Sequence, residues 1–95
     1  MAESPRRVDL RLTIPPASPF RELAVELTEK FAEYVGAPAA AATELAHAVE
    51  RSIQGMADSS PSASINLEMT TQDRELVVTA NSGQTTRRTT CPLPD

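Results

Sequence analysis

Ile65-Asn66-Leu67-Glu68-Met69-Thr70, then Thr71-Gln72-Asp73-Arg74, then Leu76-Val77-Val78-Thr79-Ala80 make up the most informative run of the chain. Ile65, Leu67 and Met69 alternate with polar residues, the period-two signature of a strand buried on one face. The four polar residues that follow turn the chain, and the apolar run from Leu76 reads as the returning strand. Asn81-Ser82-Gly83 is turn chemistry again, and the Thr-rich stretch 85–91 reads as an edge strand before Pro92-Leu93-Pro94. Near the other end, Val8, Leu10, Leu12 and Ile14 alternate with Asp9, Arg11 and Thr13. That strand stops at Pro15-Pro16, because proline offers no N–H to a ladder.

Two helices lie between these strands. Ser18 before Pro19 is a start signal, a hydroxyl cap followed by a proline suited to the first turn. Phe20, Leu23, Ala24, Leu27, Phe31 and Val35 then recur at spacings of three and four, opposite Arg21, Glu22, Glu29, Lys30 and Glu33. Gly36-Ala37-Pro38 ends the helix. A second helix is expected over 39–57, with the apolar stripe Leu45, Val49, Ile53 and Met56, and with Glu50 and Gln54 at its border. The order β-α-α-β-β-β predicts an α+β, two-layer sandwich: a mostly antiparallel sheet of three or four strands with both helices on one face. Residues 1–95 form one domain in this reading, with 1–7 as a loose charged leader and 8–94 as the folded unit.

Composition narrows the function. Nine Lys and Arg against thirteen Asp and Glu leave a net charge of −4, which disfavours nucleic acid as a partner because counterion displacement needs a cationic surface. Aromatic residues are only 3% of the chain, so there is no stacking platform for single strands. No apolar run approaches the ~20 residues of a membrane span. Cys91 has no second cysteine to pair with, and a cytoplasmic location is expected. With so few large residues, the core is marginal, and dimerisation through an apolar helix face would be an ordinary remedy.

Few chemistries fit. One His and one Cys cannot form a zinc site of the usual type. His47 and Cys91 have no evident third group to orient them as base and nucleophile. The three glycines are scattered, so there is no glycine-rich phosphate loop. Two features remain: Glu50-x-x-x-Gln54, an acid and a carboxamide one helical turn apart, and Asn81-Ser82-Gly83 after an apolar strand. Taken singly, each has a plain explanation as a solvated helix flank and as a turn.

Together with the element order, they resemble the GHKL, or histidine-kinase-like ATPase, fold, closest to its anti-sigma-factor serine kinases. That family carries a leading strand, a helix, a motif helix with Glu-x-x-x-Asn, two strands ending in Asp-x-Gly, a glycine-rich phosphate lid and a closing strand that often ends in Leu-Pro. Leu10-Arg11-Leu12-Thr13-Ile14-Pro15-Pro16 is similar to the leading strand, 45–57 to the motif helix, 76–83 to the strand entering Asp-x-Gly, and 85–94, with Leu93-Pro94, to the closing strand. The resemblance implies a vestigial nucleotide site at Glu50, Gln54, Asn81 and Gly83. The departures lie at the chemistry. Gln54 stands at the magnesium-binding Asn, and one extra methylene displaces its oxygen where magnesium demands near-ideal octahedral geometry. Asn81 stands at the Asp that accepts the adenine amino group, without the charge. Thr85 stands at the next glycine, and the lid is missing.

The expectation is therefore a non-catalytic, degenerate relative with no catalytic residue, no metal and no cofactor. The partners implied by the resemblance are a sigma factor, a STAS-domain antagonist or an active homologous kinase, with a homodimer as a further assembly. One alternative is an ATP-binding sensor or residual kinase using ATP and magnesium. Another is an unrelated α/β-sandwich interaction module, favoured if Glu50 faces open solvent away from the end of the third strand.

Overall fold

The computed structural model describes residues 9–59 and 62–94. The expected leader 1–7, Val8 at the start of the first strand, and Ser60-Pro61 of the loop lie outside the described residues. The elements are β1 (Asp9–Ile14), α1 (Ser18–Tyr34), α2 (Ala39–Ser59), β2 (Ile65–Gln72), β3 (Glu75–Ser82) and β4 (Thr85–Pro92). They form an α+β domain whose open sheet has the order β1-β2-β3-β4, every neighbouring pair antiparallel. β2, β3 and β4 are a meander of tight hairpins. β1 joins the free side of β2 after the chain has made both helices.

Register fixes which side chains meet the helices. Leu12 lies opposite Leu67, and Leu67 opposite Ala80, so Leu10, Leu12, Ile14, Ile65, Leu67, Met69, Leu76, Val78 and Ala80 share one face. Cys91, opposite Leu76, extends that face into β4. The helices cover it with Ala24, Phe31 and Ala32 from α1 and Ala42, Leu45, Val49, Ile53 and Met56 from α2. α2 lies over β2, β3 and β4, while α1 packs on β1 and along α2. The other sheet face presents Arg11, Thr13, Asn66, Glu68, Thr79, Asn81, Thr86 and Arg88. A sheet covered on one side only produces this clean alternation.

Both hairpin turns are shorter than composition suggests. Thr71 and Gln72 pair with Leu76 and Glu75, leaving Asp73 and Arg74 as the turn, with φ of 50° and 63°. Two successive left-handed residues are what a type I′ hairpin requires. Asn81 and Ser82, expected in a turn, are strand residues paired with Thr86 and Thr85. Gly83, with φ of 59°, and Gln84 alone reverse the chain. Ladder pairing is satisfied to the last residue, which a longer polar turn would have forfeited.

α1 departs from expectation at its start and in its rotation. Its N-cap is Ala17 rather than Ser18, and the Ala17 carbonyl accepts from the Phe20 and Arg21 N–H groups at 3.1 Å. Its end is a Schellman motif: the Ala37 N–H donates to the Ala32 carbonyl at 2.9 Å and Gly36 N–H to Glu33 at 3.1 Å, with Gly36 at φ 111°. The buried row is Ala24, Thr28 and Ala32, with Phe31 beside it; Phe20 and Leu23, expected in the core, are exposed. Small residues at i, i+4 and i+8 let α1 lie close to its neighbours, and Thr28 is tolerated there because its hydroxyl donates to the Ala24 carbonyl at 2.8 Å.

Candidate functional site

α2 places Glu50 and Gln54 one turn apart, both exposed, on a groove of about 170 Å³ between the two helices. Arg21, Glu22 and Val25 form the α1 wall, and Ile53 lies between the two motif residues on the α2 side. Arg21 projects from the first turns of α1 and its guanidinium Nη1 donates to Gln54 Oε1 at 2.9 Å. The other end of the same carboxamide, Nε2, donates to Asp58 Oδ1 at 3.1 Å. Gln54 therefore bridges α1 to the end of α2, with both its donor and its acceptor engaged. Arg21 Nε is buried without a protein partner, so the bridge satisfies only part of the guanidinium. A second tie joins the helices at the far end, where the Thr43 hydroxyl donates to Glu29 Oε2 at 2.8 Å.

Asn81 is on the opposite side of the sheet. It pairs with Asn66 across the β2–β3 ladder, on the face that carries Thr79 and Glu68, while its neighbours Ala80 and Ser82 point to the helices. Its Nδ2 donates to the Thr86 hydroxyl at 3.0 Å, and in the same cross-strand row the Thr13 hydroxyl donates to Asn66 Oδ1 at 2.7 Å. One row below, Arg11 Nε reaches Glu68 Oε2 at 3.1 Å, an exposed pair that contributes little in water. Arg11, Thr13, Asn66, Glu68, Thr79 and Asn81 line an open trough of about 500 Å³. The structure brings Glu50 and Gln54 together and does not bring Asn81 to them, because the sheet lies between. Gly83 sits in the β3–β4 turn and opens it.

Arg21, and Thr13, Asn66 and Thr86 in the row with Asn81, carry these sites without having been singled out from sequence. The parity of β3 contained the signal: with Leu76, Val78 and Ala80 inside, Asn81 must face out. The adjacent apolar Val77, itself buried on the open face, obscured it. Ser82 is the inward residue at that end; it is 2% exposed and its Oγ has no partner.

His47 is exposed and Cys91 is buried. The Cys91 thiol is pushed above its ordinary pKa, first by burial and second by the negative charge of Glu44. It is the poorer nucleophile for that. Among the described residues, no helix is long and apolar enough to cross a membrane. Comparison with known proteins finds no family model, no curated protein and no solved structure that matches this chain.

Proposed function

We propose that the chain is a non-catalytic regulatory module that works by binding another protein. The β3–β4 connection supports this most directly. Ser82 pairs with Thr85, so two residues, Gly83 and Gln84, join the strands where a nucleotide-binding relative would place a phosphate lid. Phosphoryl transfer depends on positioning and on charge stabilisation around the phosphates, and a two-residue turn supplies few N–H groups for either. The groove at Glu50 and Gln54 agrees: about 170 Å³ is below the ~300 Å³ at which small-molecule pockets begin. Its carboxamide is already committed to Arg21 and Asp58.

The partner class follows from the resemblance to anti-sigma-factor kinases: a sigma factor, a STAS-domain antagonist or an active homologous kinase, met in the cytoplasm. The exposure of Glu50 and the outward face of Asn81 favour a second reading, a two-layer interaction module unrelated to that family. Both readings are of a protein-binding module, and they differ in the partner.

The test is a thermal melt with ATP and magnesium, run on the wild type and on the double variant Gln54→Asn, Asn81→Asp. A ligand at a hundred times its Kd adds about 2.7 kcal/mol, roughly 10 °C or more in a domain of this size. The expected shift is nil for both proteins, since the double variant's new carboxylate still faces away from α2. An ATP-dependent rise in the wild-type Tm would overturn the proposal. Calorimetry against purified sigma factors and STAS-domain proteins of the same organism then separates the two partner classes.

A further inference from the structure

β4 is the outer strand on its side of the sheet: β3 pairs with one edge, and among the described residues no strand meets the other. The Leu93 N–H donates to the Arg74 carbonyl at 2.8 Å, which makes 74 and 93 a hydrogen-bonded pair of the antiparallel ladder. Such pairs alternate, so Cys91, Thr89, Arg87 and Thr85 also turn their backbone groups to β3. Thr86, Arg88 and Thr90 therefore turn N–H and C=O to the free edge. Pro92 shares their parity, and proline fits there because its missing N–H would have pointed away from β3. Thr86, Arg87, Arg88, Thr90 and Pro92 are all exposed, which leaves the edge open among the described residues.

This edge also has the opposite sign to its molecule. The chain carries a net charge of −4, yet residues 85–92 hold two arginines and no acid. Neither Arg87 nor Arg88 has an ion-pair or side-chain hydrogen-bond partner among the described residues. Glu68, in the same cross-strand row as Arg88, is two strands away, about 10 Å at ~4.8 Å per strand, and already holds Arg11. Successive strand residues leave on opposite faces, so Arg88 stands on the open face of the sheet and Arg87, opposite Ala80, on the helix side.

We propose that the free edge of β4 takes up an extended, acidic segment of a partner protein as a fifth strand. The inference rests on the protein-binding reading and assigns it a surface and a partner chemistry. In an added strand, the residue facing Arg88 emerges on the open face, and the next one faces Arg87 on the helix side. Two adjacent Asp or Glu residues satisfy both guanidiniums. β-Branched residues on either side of them pair with the flanking Thr85-Thr86 and Thr89-Thr90. Backbone bonds at Thr86, Arg88 and Thr90 supply the attachment, and the charges supply the choice of partner.

A second copy of the chain does not fit this edge. No two acidic residues are adjacent anywhere in the sequence, so no strand of it offers the required pair. β4 on β4, antiparallel about the arginines, would set Arg87 opposite Arg88 twice, and like charges directly opposite are destabilising. The same arginines disfavour an apolar strand, which is how exposed edges escape indiscriminate pairing. A nucleic acid answers the charge but has no peptide backbone to pair with the edge, and the chain as a whole repels it.

The probe is a synthetic peptide long enough to span β4, two adjacent Glu flanked by alternating Val and Thr, titrated into the full chain. Amide hydrogen exchange at Thr86, Arg88 and Thr90 is expected to slow on binding, while Arg87 and Thr89, already bonded to β3, change little. Arg87→Glu with Arg88→Glu is expected to weaken the Kd about tenfold or more, since two attractions become two repulsions. Raising the salt from about 0.1 M to 1 M, where the Debye length falls from about 10 Å to 3 Å, is expected to act in the same direction. Thr90→Pro keeps both charges and the bonds to β3 but removes one edge N–H, and is expected to weaken binding roughly fivefold. All three positions are exposed, so far-UV spectra of the variants are expected to match the wild type. A probe that shows no saturable binding would overturn the proposal, as would protection that falls on β1 instead. Equally tight binding of single-stranded DNA, or of a peptide of the same charge with proline at every second position, would overturn it too. The ATP melt judges the protein-binding reading separately, so a failed probe beside a silent melt removes the edge alone.

Discussion

The rotation of α1 is tested by exchanging sizes at two adjacent positions, Leu23→Ala and Ala24→Leu. Hydrophobic periodicity puts both residues in the core, whereas the structure leaves Leu23 53% exposed and Ala24 fully buried. A buried Leu cut to Ala costs about 2–5 kcal/mol, mostly lost transfer energy and an unfilled cavity. Leu23 has less than half its surface to lose and leaves no closed cavity, so the expected cost is below about 1 kcal/mol at ~25 cal/mol per Å². Ala24→Leu forces three carbons into the seam where α1 meets the layer beneath it, and overpacking there is expected to cost about 1–3 kcal/mol or more. Urea unfolding followed by far-UV circular dichroism reads both as changes in the midpoint at constant slope. Dilute protein keeps any self-association through exposed Leu23 out of the measurement. A loss of 2 kcal/mol or more in Leu23→Ala beside a neutral Ala24→Leu would mean that the helix is turned by about one residue, roughly 100°, and would refute the assignment of its exposed stripe.

Four further outcomes follow from particular positions. Gly55 is exposed inside α2 with no atom within 4 Å of an added Cβ, so Gly55→Ala should raise stability by about 0.5–1 kcal/mol. Gly83→Ala, forced to keep φ at 59°, should lower it by about 1–2 kcal/mol; urea midpoints read both. Gln54→Ala removes the acceptor of an Arg21 guanidinium whose Nε is already unpartnered, and should cost about 1 kcal/mol, whereas Arg21→Met removes both the bond and the orphaned donor and should be nearly neutral. Finally, the folded chain holds the Cys91 proton more tightly than the unfolded chain does. The associated stability is intact below the unfolded thiol's pKa and declines as pH rises through the alkaline range towards the folded value. Thermal melts across that range should show a decline that Cys91→Ala lacks.

The fold was legible because its signals are local and repeated. Ile65, Leu67 and Met69 alternate without interruption, and Leu45, Val49, Ile53 and Met56 hold helical spacing across α2; the structure buries all of these. The start of α1 and its buried face were less legible, for a physical reason. Periodicity registers large apolar residues, but close packing of a helix against two neighbours selects small ones, so Ala24, Thr28 and Ala32 took the inner face. The energy lost by exposing Phe20 and Leu23 is recovered only if something covers them, which an isolated chain's pattern does not record.

At the candidate site, a single residue of strand parity separates two accounts of the same letters. Read as a motif, Asn81-Ser82-Gly83 is one unit, and its first residue belongs with Glu50 and Gln54. Read as β3, successive residues leave the sheet on opposite faces, so Asn81 and Ser82 cannot serve the same site. Asn81 is held out by its pairing with Asn66 and its bond to Thr86. Bringing it to the helix side would require a one-residue slip of β3, which would turn Leu76, Val78 and Ala80 towards water and bring Val77 and Thr79 inside. The side chains buried on β3 thus oppose assembly of the motif more strongly than the loss of any one ligand would. Of the end of that strand, what faces the helices is Ser82, a buried hydroxyl without a partner.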